Sequence, residues 1–324
     1  MISLGIEGTA HTLGIGIVDE ENIIANVSHM YAPLSGGIHP REAAEHHSSN
    51  LSELLERSIK EAGISFEDID IVSFSQGPGL GPCLRTVATA ARAIAGHLSL
   101  PLVGVNHCIA HLEIGRRVTD AVDPVLLYTS GGNTQIITYY NGKYVVIGET
   151  EDIGIGNMLD KFARFSGIPF PGGPVIENLA RKGRYVNLPY SVKGMNVSFS
   201  GILTAATEQL KSGKSLEDIA YSIQEHAFAM LCEITERAMS FTGKKEVLIG
   251  GGVARNMRLQ DMVRTMVHER NGKFYVPPDE LCVDNGAMIA HTGLVMFKNG
   301  VRTEIKDSKI KPNYRIDDVV VRWR

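Results

Sequence analysis

A single hairpin plan occurs twice in this chain, and that duplication restricts the fold more than any other feature. Leu4-Gly5-Ile6-Glu7 and Gly14-Ile15-Gly16-Ile17-Val18 read as strands joined by the small polar turn Gly8-Thr9-Ala10-His11-Thr12. From Val125 the plan returns: Val125-Leu126-Leu127-Tyr128, then Thr129-Ser130-Gly131-Gly132-Asn133-Thr134, then Gln135-Ile136-Ile137-Thr138-Tyr139. A hairpin repeated at equivalent places in two halves predicts two similar α/β lobes. The length of 324 residues agrees, because a single hydrophobic core stops growing at roughly 250–300 residues. Small residues in both turns let backbone N–H groups crowd an anion, so two such turns facing across a cleft could grip a phosphate chain from both sides.

Composition excludes several classes. An apolar content of 44% with 21% charged residues is that of an ordinary folded protein, and disorder is not indicated. The net charge of -4 denies the chain the broad basic surface of a stand-alone nucleic-acid binder, so any such contact must be local or shared with partners. Cys83, Cys108, Cys232 and Cys282 stand far apart with no C-x-x-C, which argues against a zinc ribbon or disulfide framework and for a reducing cytoplasm. No apolar run approaches the ~18 residues that span a membrane, and no basic targeting region opens the chain.

Between the hairpins, Arg41 to Ala62 carries apolar residues on one helical face after a loop with Gly36, Gly37, His39 and Pro40. Ile69 to Phe74 is a predicted strand, Gln76-Gly77-Pro78-Gly79-Leu80-Gly81-Pro82 a glycine loop without the Lys-Ser/Thr of a Walker motif, and Cys83 to His97 a helix. Leu102 to Val105 is a short strand. After the second hairpin come a strand from Tyr144 to Glu149 and a helix from Gly154 to Arg164 with Asp160 and Lys161. Pro174 then starts a helix with Glu177 one turn in, behind Phe170-Pro171-Gly172-Gly173. Ser198-Phe199-Ser200-Gly201 precedes a helix from Ile202 to Lys211, and a long helix runs from Leu216 to Phe241. Glu246 to Ile249 is a strand leading into Gly250-Gly251-Gly252-Val253-Ala254-Arg255-Asn256, where a flat ring or ribose can lie against bare backbone. Lys273 to Val276 is a strand, and Cys282 to Phe297 a predicted apolar helix.

Asn106-His107-Cys108-Ile109-Ala110-His111 holds a pair of histidines spaced i,i+4, which stack on one helical face and can share one ion if a third ligand arrives from elsewhere. Asp284, at the start of the last apolar helix, is the candidate. Two neutral imidazoles and a carboxylate suit zinc or ferrous iron and leave positions open for substrate.

Gly5-Ile6-Glu7-Gly8-Thr9-Ala10-His11-Thr12, the histidine segment, Ser130-Gly131-Gly132-Asn133-Thr134, Ser198-Phe199-Ser200-Gly201 and Gly250-Gly251-Gly252-Val253-Ala254-Arg255-Asn256 together resemble one family over nearly the whole chain. It is the universal tRNA threonylcarbamoyladenosine transferase family, in the form of the archaeal and eukaryotic KEOPS catalytic subunit. The resemblance implies a two-lobed actin/Hsp70/sugar-kinase-like α/β fold with an interlobe cleft. Its lobes would span residues 1–122, completed by the helix 284–298 and the tail, and 123–283. It implies one divalent metal, iron or zinc, on His107, His111 and Asp284 with Tyr128 beside them. It also implies a site for threonylcarbamoyl-AMP, ATP, ADP or AMP built from Tyr128, Thr129, Ser130, Gly131, Gly132, Asp160, Gly173, Glu177 and Asn256. The implied reaction passes a threonylcarbamoyl group from threonylcarbamoyl-AMP to the exocyclic amine of the adenosine next to the anticodon, releasing AMP. Implied partners are tRNA, an upstream threonylcarbamoyl-AMP synthase, and a kinase-like ATPase, a dimerising subunit and another small subunit. No kinase motifs precede Arg324, so the fused arrangement of some relatives is not expected. His46, Lys161, Arg164 and the tail Val321-Arg322-Trp323-Arg324 are weak candidates for tRNA contact, and a plain surface ending is the favoured reading of the tail.

Three rival readings follow from the same residues. A metallopeptidase would use the zincin histidine spacing, but Cys108 stands where that motif puts its general-base glutamate. A small-molecule kinase would want an aspartate base near the second turn and no histidine pair. A non-catalytic, nucleotide-gated module that holds nucleic acid would bind nucleotide without tRNA-dependent AMP release.

Overall fold

The computed structural model describes residues 1–33 and 37–324; Gly36 of the first predicted loop lies outside the described residues. In chain order the strands and helices begin β1 (Ser3–Glu7), β2 (Thr12–Val18), β3 (Ile23–Met30), α1 (Pro40–Ala62), β4 (Ile71–Gly77), α2 (Gly81–Leu98), β5 (Leu102–Asn106) and α3 (His107–Val118). They continue with β6 (Val125–Thr129), β7 (Thr134–Tyr140), β8 (Lys143–Glu149), α4 (Ile155–Phe165), α5 (Gly173–Ala180), the ribbon β9 (Val192–Lys193) and β10 (Asn196–Val197), α6 (Ser200–Lys211) and α7 (Leu216–Thr242). The last elements are β11 (Glu246–Gly250), α8 (Met257–Glu269), β12 (Lys273–Tyr275), α9 (Asp279–Cys282) and α10 (Gly286–Lys298).

The duplicated hairpin extends to whole sheets. One sheet has the order β3-β2-β1-β4-β5 and the other β12-β11-β6-β7-β8, so each joins a three-stranded meander to two parallel strands in the same sequence. Glu7 pairs with Gly14 at the end of the first hairpin, and Thr129 with Thr134 at the end of the second. Strand β3 is an addition to the expected elements: Ala25 and Val27 are buried on one face, Asn26 turns to α10 and accepts from Ala287 N at 3.2 Å, and Ser28 is exposed. The predicted final helix, from Cys282, begins only at Gly286, because Asn285 caps α10 by accepting from Met288 N at 2.9 Å.

Helices α1 and α2 cover one face of the first sheet and α3 and α10 the other. Helix α10 comes down to backbone contact because the strands beneath it are bare: a Cβ on Gly16 would sit 2.1 Å from Ala287 N, and one on Gly286 2.1 Å from Gly16 N. That approach carries Asp284, two residues upstream, to the rim of the first turn.

Helix α3 lies between the two sheets. Ala110 and Ile114 pack on Val103 and Val105 of the first sheet, whereas Cys108, Ile109 and Leu112 pack on Leu126, Tyr128 and Leu248 of the second. Every residue from His107 to Gly115 is therefore buried, including both histidines and Glu113. A helix enclosed on all sides can hold polar side chains only where each is paired or ligated. Among the described residues no helix is long and apolar enough to cross a membrane.

Candidate functional site

Asn106 opens the histidine helix by accepting from Cys108 N at 3.0 Å and Ile109 N at 3.3 Å, while its amide donates to the Tyr314 carbonyl at 3.1 Å. This cap fixes where the helix starts and therefore which way His107 and His111 project. Asp284 Oδ1 lies 3.2 Å from His111 Nε2 and 3.4 Å from His107 Nε2. One ligand atom from each of the three lies within 4.8 Å of the others. The tyrosine at the end of β6 joins them: its ring centroid is 5.0 Å from that of His111, and its fully buried hydroxyl has no hydrogen-bond partner among the described residues. A buried phenol left unpaired beside two imidazoles and a carboxylate fits a fourth donor to a cation.

The electrostatics follow from burial against pairing. Burial opposes the charged form of His107, but Glu7 and then Asp284 outweigh it and raise its pKa well above the usual histidine value. His111 goes the other way, burial dominating. Asp284 is held well below the usual carboxylate range, since the two histidines overcome its burial. Burial, reinforced by Cys108 and Asp284, pushes the Tyr128 phenol up. Burial also pushes the Cys108 thiol to about 11, so it supplies no base where a zincin would need one.

Sequence reasoning missed the partner on the far side of His107. Glu7, fully buried, points Oε2 at His107 Nδ1 over 3.1 Å and takes Thr9 N and Thr9 Oγ1 on Oε1 at 2.7 and 2.6 Å. A carboxylate inside an otherwise apolar strand end was the only available signal.

The glycine turns gather around the same cleft. Ser130 closes its turn through N to Asn133 O at 2.8 Å, and the N-terminus of α4 docks on it through Gly156 N to Ser130 O and Asn157 N to Gly131 O at 3.2 and 2.9 Å. Gly251, at φ +89°, brings the triple-glycine turn against Thr129, where a Cβ would sit 2.4 Å from the carbonyl oxygen. A Cβ on Gly132, Gly173 or Gly252 would meet nothing within 4 Å, so three loops present bare backbone to open space. Asp160 accepts from Gly172 N at 2.8 Å, and burial raises its pKa. Glu177 accepts from Met257 N at 2.9 Å. Asn256 caps α8 through Arg258 N and Leu259 N and gives its amide to Gln224 at 2.6 Å, so both ends of its side chain are engaged within the protein. Across the cleft mouth the ring of His11 meets that of Phe170 edge-on at 5.4 Å.

Two expectations change. The tail is not a free surface ending: Trp323 Nε1 donates to Glu113 Oε1 at 2.8 Å, and the Arg324 guanidinium lies 4.3 Å over Tyr139. His46 is engaged with His29 and His47 on the α1 side, whereas Lys161 and Arg164 are exposed on α4.

The family model described as tRNA N6-adenosine threonylcarbamoyltransferase matches residues 21–291. The chain belongs to this family. A tRNA N6-adenosine threonylcarbamoyltransferase of Thermococcus sibiricus is 58% identical and covered over 100% of both chains. A probable bifunctional tRNA threonylcarbamoyladenosine biosynthesis protein of Thermoplasma volcanium is also 58% identical, and there the chain spans 62% of the relative's length. Family membership makes the chain a transferase of tRNA modification and disfavours the peptidase, kinase and non-catalytic readings. The ROK hexokinase of Thermus thermophilus shares the fold alone, with a TM-score of 0.53, 15% identity and 92% and 100% of the two chains covered. The fold is thus that of the actin/Hsp70/sugar-kinase group.

Proposed function

We propose that this member of the family moves a threonylcarbamoyl group from threonylcarbamoyl-AMP to the exocyclic amine of the adenosine next to the anticodon, and that it does so with one divalent ion, iron or zinc. The reading rests on the convergence of His107, His111 and Asp284 within 4.8 Å beside the unpaired Tyr128 hydroxyl. When bound there, the ion would draw charge from carbonyl or phosphate oxygens of the donor.

The protein's own groups supply the rest. Glu7 fixes His107 with its Nδ1 side engaged, so that Nε2 faces Asp284. The acceptor amine is a poor nucleophile because its lone pair is delocalised into the purine, so the donor must be held activated and oriented. With the N–H groups of Gly8, Thr9 and Ser130 engaged within the protein, those of Ala10 and His11 in the first turn and of Gly131 and Gly132 in the second are suited to the phosphate and to the negative charge that grows on it as AMP leaves. As the new C–N bond of the urea linkage forms, the bond between the carbamoyl carbon and the phosphate oxygen breaks, AMP leaves with that electron pair, and the proton lost by the amine passes to the released phosphate or to water.

Asp160, Gly173, Glu177 and Asn256 line the adenosine end. Asn256 acts by holding α8 and Glu177 by holding Met257, so their loops receive the nucleotide mainly through backbone and through the free carboxylate oxygens. The cleft lies between a lobe of residues 1–122, completed by 284–298 and the tail, and a lobe of 123–283. In the cytoplasm the enzyme works with a threonylcarbamoyl-AMP synthase upstream and with KEOPS subunits, a kinase-like ATPase, a dimerising subunit and a small regulatory subunit. An acidic chain of net charge -4 would gain from partners in holding tRNA. The test is transfer of labelled threonine from threonylcarbamoyl-AMP to unmodified tRNA by the reconstituted complex. Label must reach tRNA with the unmodified chain and fail to reach it with a folded His107→Ala, His111→Ala variant. Equal transfer by both would remove the ion from the reaction.

A further inference from the structure

Two aromatic rings meet where the first glycine turn faces the loop before α5. His11, from the turn, and Phe170 lie 5.4 Å apart at 88°, and both are half-buried. In an edge-on pair the ring that gives its edge keeps both of its own faces clear of the other, so the contact leaves flat aromatic surface open. Each ring stands on fixed backbone: the His11 carbonyl accepts from Tyr31 N at 2.8 Å, and Asp160 holds Gly172 N, two residues after Phe170. The pair is next to the candidate metal centre. Thr9 Oγ1 is 3.4 Å from His107 Nδ1, and two residues of extended chain reach at most ~7 Å, which brings His11 into the same cleft. The large exposed rings of Tyr140 and Phe241 stand at the other end of the second sheet, where Lys244 reaches the Tyr139 carbonyl, a strand's length from the turns.

Charge at the same place suits a polyanion. Lys161 and Arg164 are exposed on α4, and neither enters an ion pair among the described residues. Burial raises the Asp160 pKa, and Arg164 and His11 both lie close enough to oppose the rise. A Cβ on Gly37 would sit 3.2 Å from the Arg164 guanidinium, so the loop before α1 reaches the same mouth. Aromatic faces beside unpaired cations are how single-stranded nucleic acid is held. Packing between two loops would be served as well by aliphatic side chains, and it calls for no cations. An exocyclic amine in an anticodon loop enters a cleft only when its base leaves the stack, which is costly unless another flat surface receives it. We propose that the Phe170–His11 pair receives the acceptor adenine turned out of the anticodon loop, with Lys161 and Arg164 meeting the phosphates beside it. The inference rests on the transfer reaction proposed above and adds the surface that presents the amine to it.

A cycle between ring and base, run in the reconstituted complex, tests this. Phe170→Leu keeps an apolar side chain but removes the flat face. We expect it to lower kcat/KM for tRNA by about 5–100-fold, to leave the affinity for AMP unchanged, and to be rescued by Phe170→Trp. A tRNA lacking only the acceptor base, used as a competing inhibitor, should bind the parent and Phe170→Leu complexes equally. Lys161→Ala with Arg164→Ala should reduce the salt slope of that inhibitor's binding by about 1.4, and an unchanged slope would strike the two cations from the surface. Full activity in Phe170→Leu, or a loss that Phe170→Trp does not restore, would return the ring to packing and overturn the proposal. Equal weakening of intact and abasic tRNA would assign the ring to a neighbouring base, and weakened AMP would assign it to the donor nucleotide; either overturns it. No transfer by the parent complex would instead overturn the reaction on which the inference rests. If Phe170→Leu does not fold, the Phe170 ring resonances of the parent chain decide. An upfield shift on adding an anticodon stem-loop, absent when the acceptor base is missing, supports the proposal, and unmoved resonances overturn it.

Discussion

Glu7 Oε2 lies 3.1 Å from His107 Nδ1, with both side chains buried. The same carboxylate is fixed through its other oxygen by both donors of Thr9. An anion placed there orients the ring, sets which nitrogen is free to face Asp284, and raises its basicity. Glu7→Gln keeps the shape but removes the charge. We expect the variant to fold and to bind zinc or ferrous ion about 10–100-fold more weakly, measured by competition with a chelator. Unchanged affinity in a folded variant would reduce Glu7 to a packing residue.

Helix α10 is seated by absent side chains. With a Cβ on Gly286 only 2.1 Å from Gly16 N, the backbones cannot admit even a methyl group without moving apart. Gly286→Ala should destabilise by about 1–3 kcal/mol or more and displace Asp284, which immediately precedes the helix cap. Thermal unfolding reads the first effect and metal stoichiometry of the folded fraction the second. A variant that loses stability yet binds metal normally would show that Asp284 is positioned independently of α10.

Much of this site could be read before any coordinates, and the residues that could not share a cause. His107 and His111 announce themselves because helical periodicity relates them locally, and the turns because glycine is conspicuous where backbone must come close. Asp284 is distant in sequence, but it precedes a strongly apolar helix and matches a family pattern. Glu7 carries no such mark, since nothing in Leu4-Gly5-Ile6-Glu7 says that α3 will deliver an imidazole to it. Strand β3 was hidden behind acidic residues, and the tail's role depends on Glu113 and Tyr139, which only the tertiary fold brings to it. The family resemblance named Asn256 as a nucleotide residue without revealing that its side chain is a helix cap.

Ser200 and Phe199 owe their conformation to Asp152. The carboxylate accepts from Phe199 N and Ser200 N at 2.9 Å each and from Ser200 Oγ at 2.5 Å, capping α6 from another segment. These hydrogen bonds, led by Ser200, overcome its desolvation and depress its pKa to about 2. Because the folded value lies below the unfolded value of about 3.9, the contribution is complete above that value and fades as pH falls toward 2. Asp152→Asn should therefore cost about 1 kcal/mol at neutral pH and progressively less in acid. Denaturant melts at neutral pH and near pH ~3 would check it, and a constant difference between the two proteins would remove Asp152 from the acid response.

The tail ties the histidine helix to the second sheet. Glu113, 3% exposed on α3, accepts on Oε1 from the hydroxyl of Tyr144 in β8 and from Trp323 Nε1, and on Oε2 from Arg116 at 2.8 Å. Arg324 spans the same seam: it donates to Val122 O and Asp123 Oδ1 at 2.6 and 3.0 Å while its guanidinium covers Tyr139. Removing one donor from a buried carboxylate leaves charge unmet, which is more damaging than losing one surface contact. Trp323→Phe retains most of the ring and deletes only the N–H, so it should destabilise by about 1–3 kcal/mol. Glu113→Gln leaves the site polar but uncharged, and in that background the loss of the indole donor should matter less. A double-mutant cycle on unfolding free energies therefore should return a coupling of about 0.5–3 kcal/mol between Trp323 and Glu113. Strict additivity would mean that the hydrogen bond between Trp323 and Glu113 adds nothing to the join between helix and sheet, which would then rest on Arg324 and the apolar contacts around Val321.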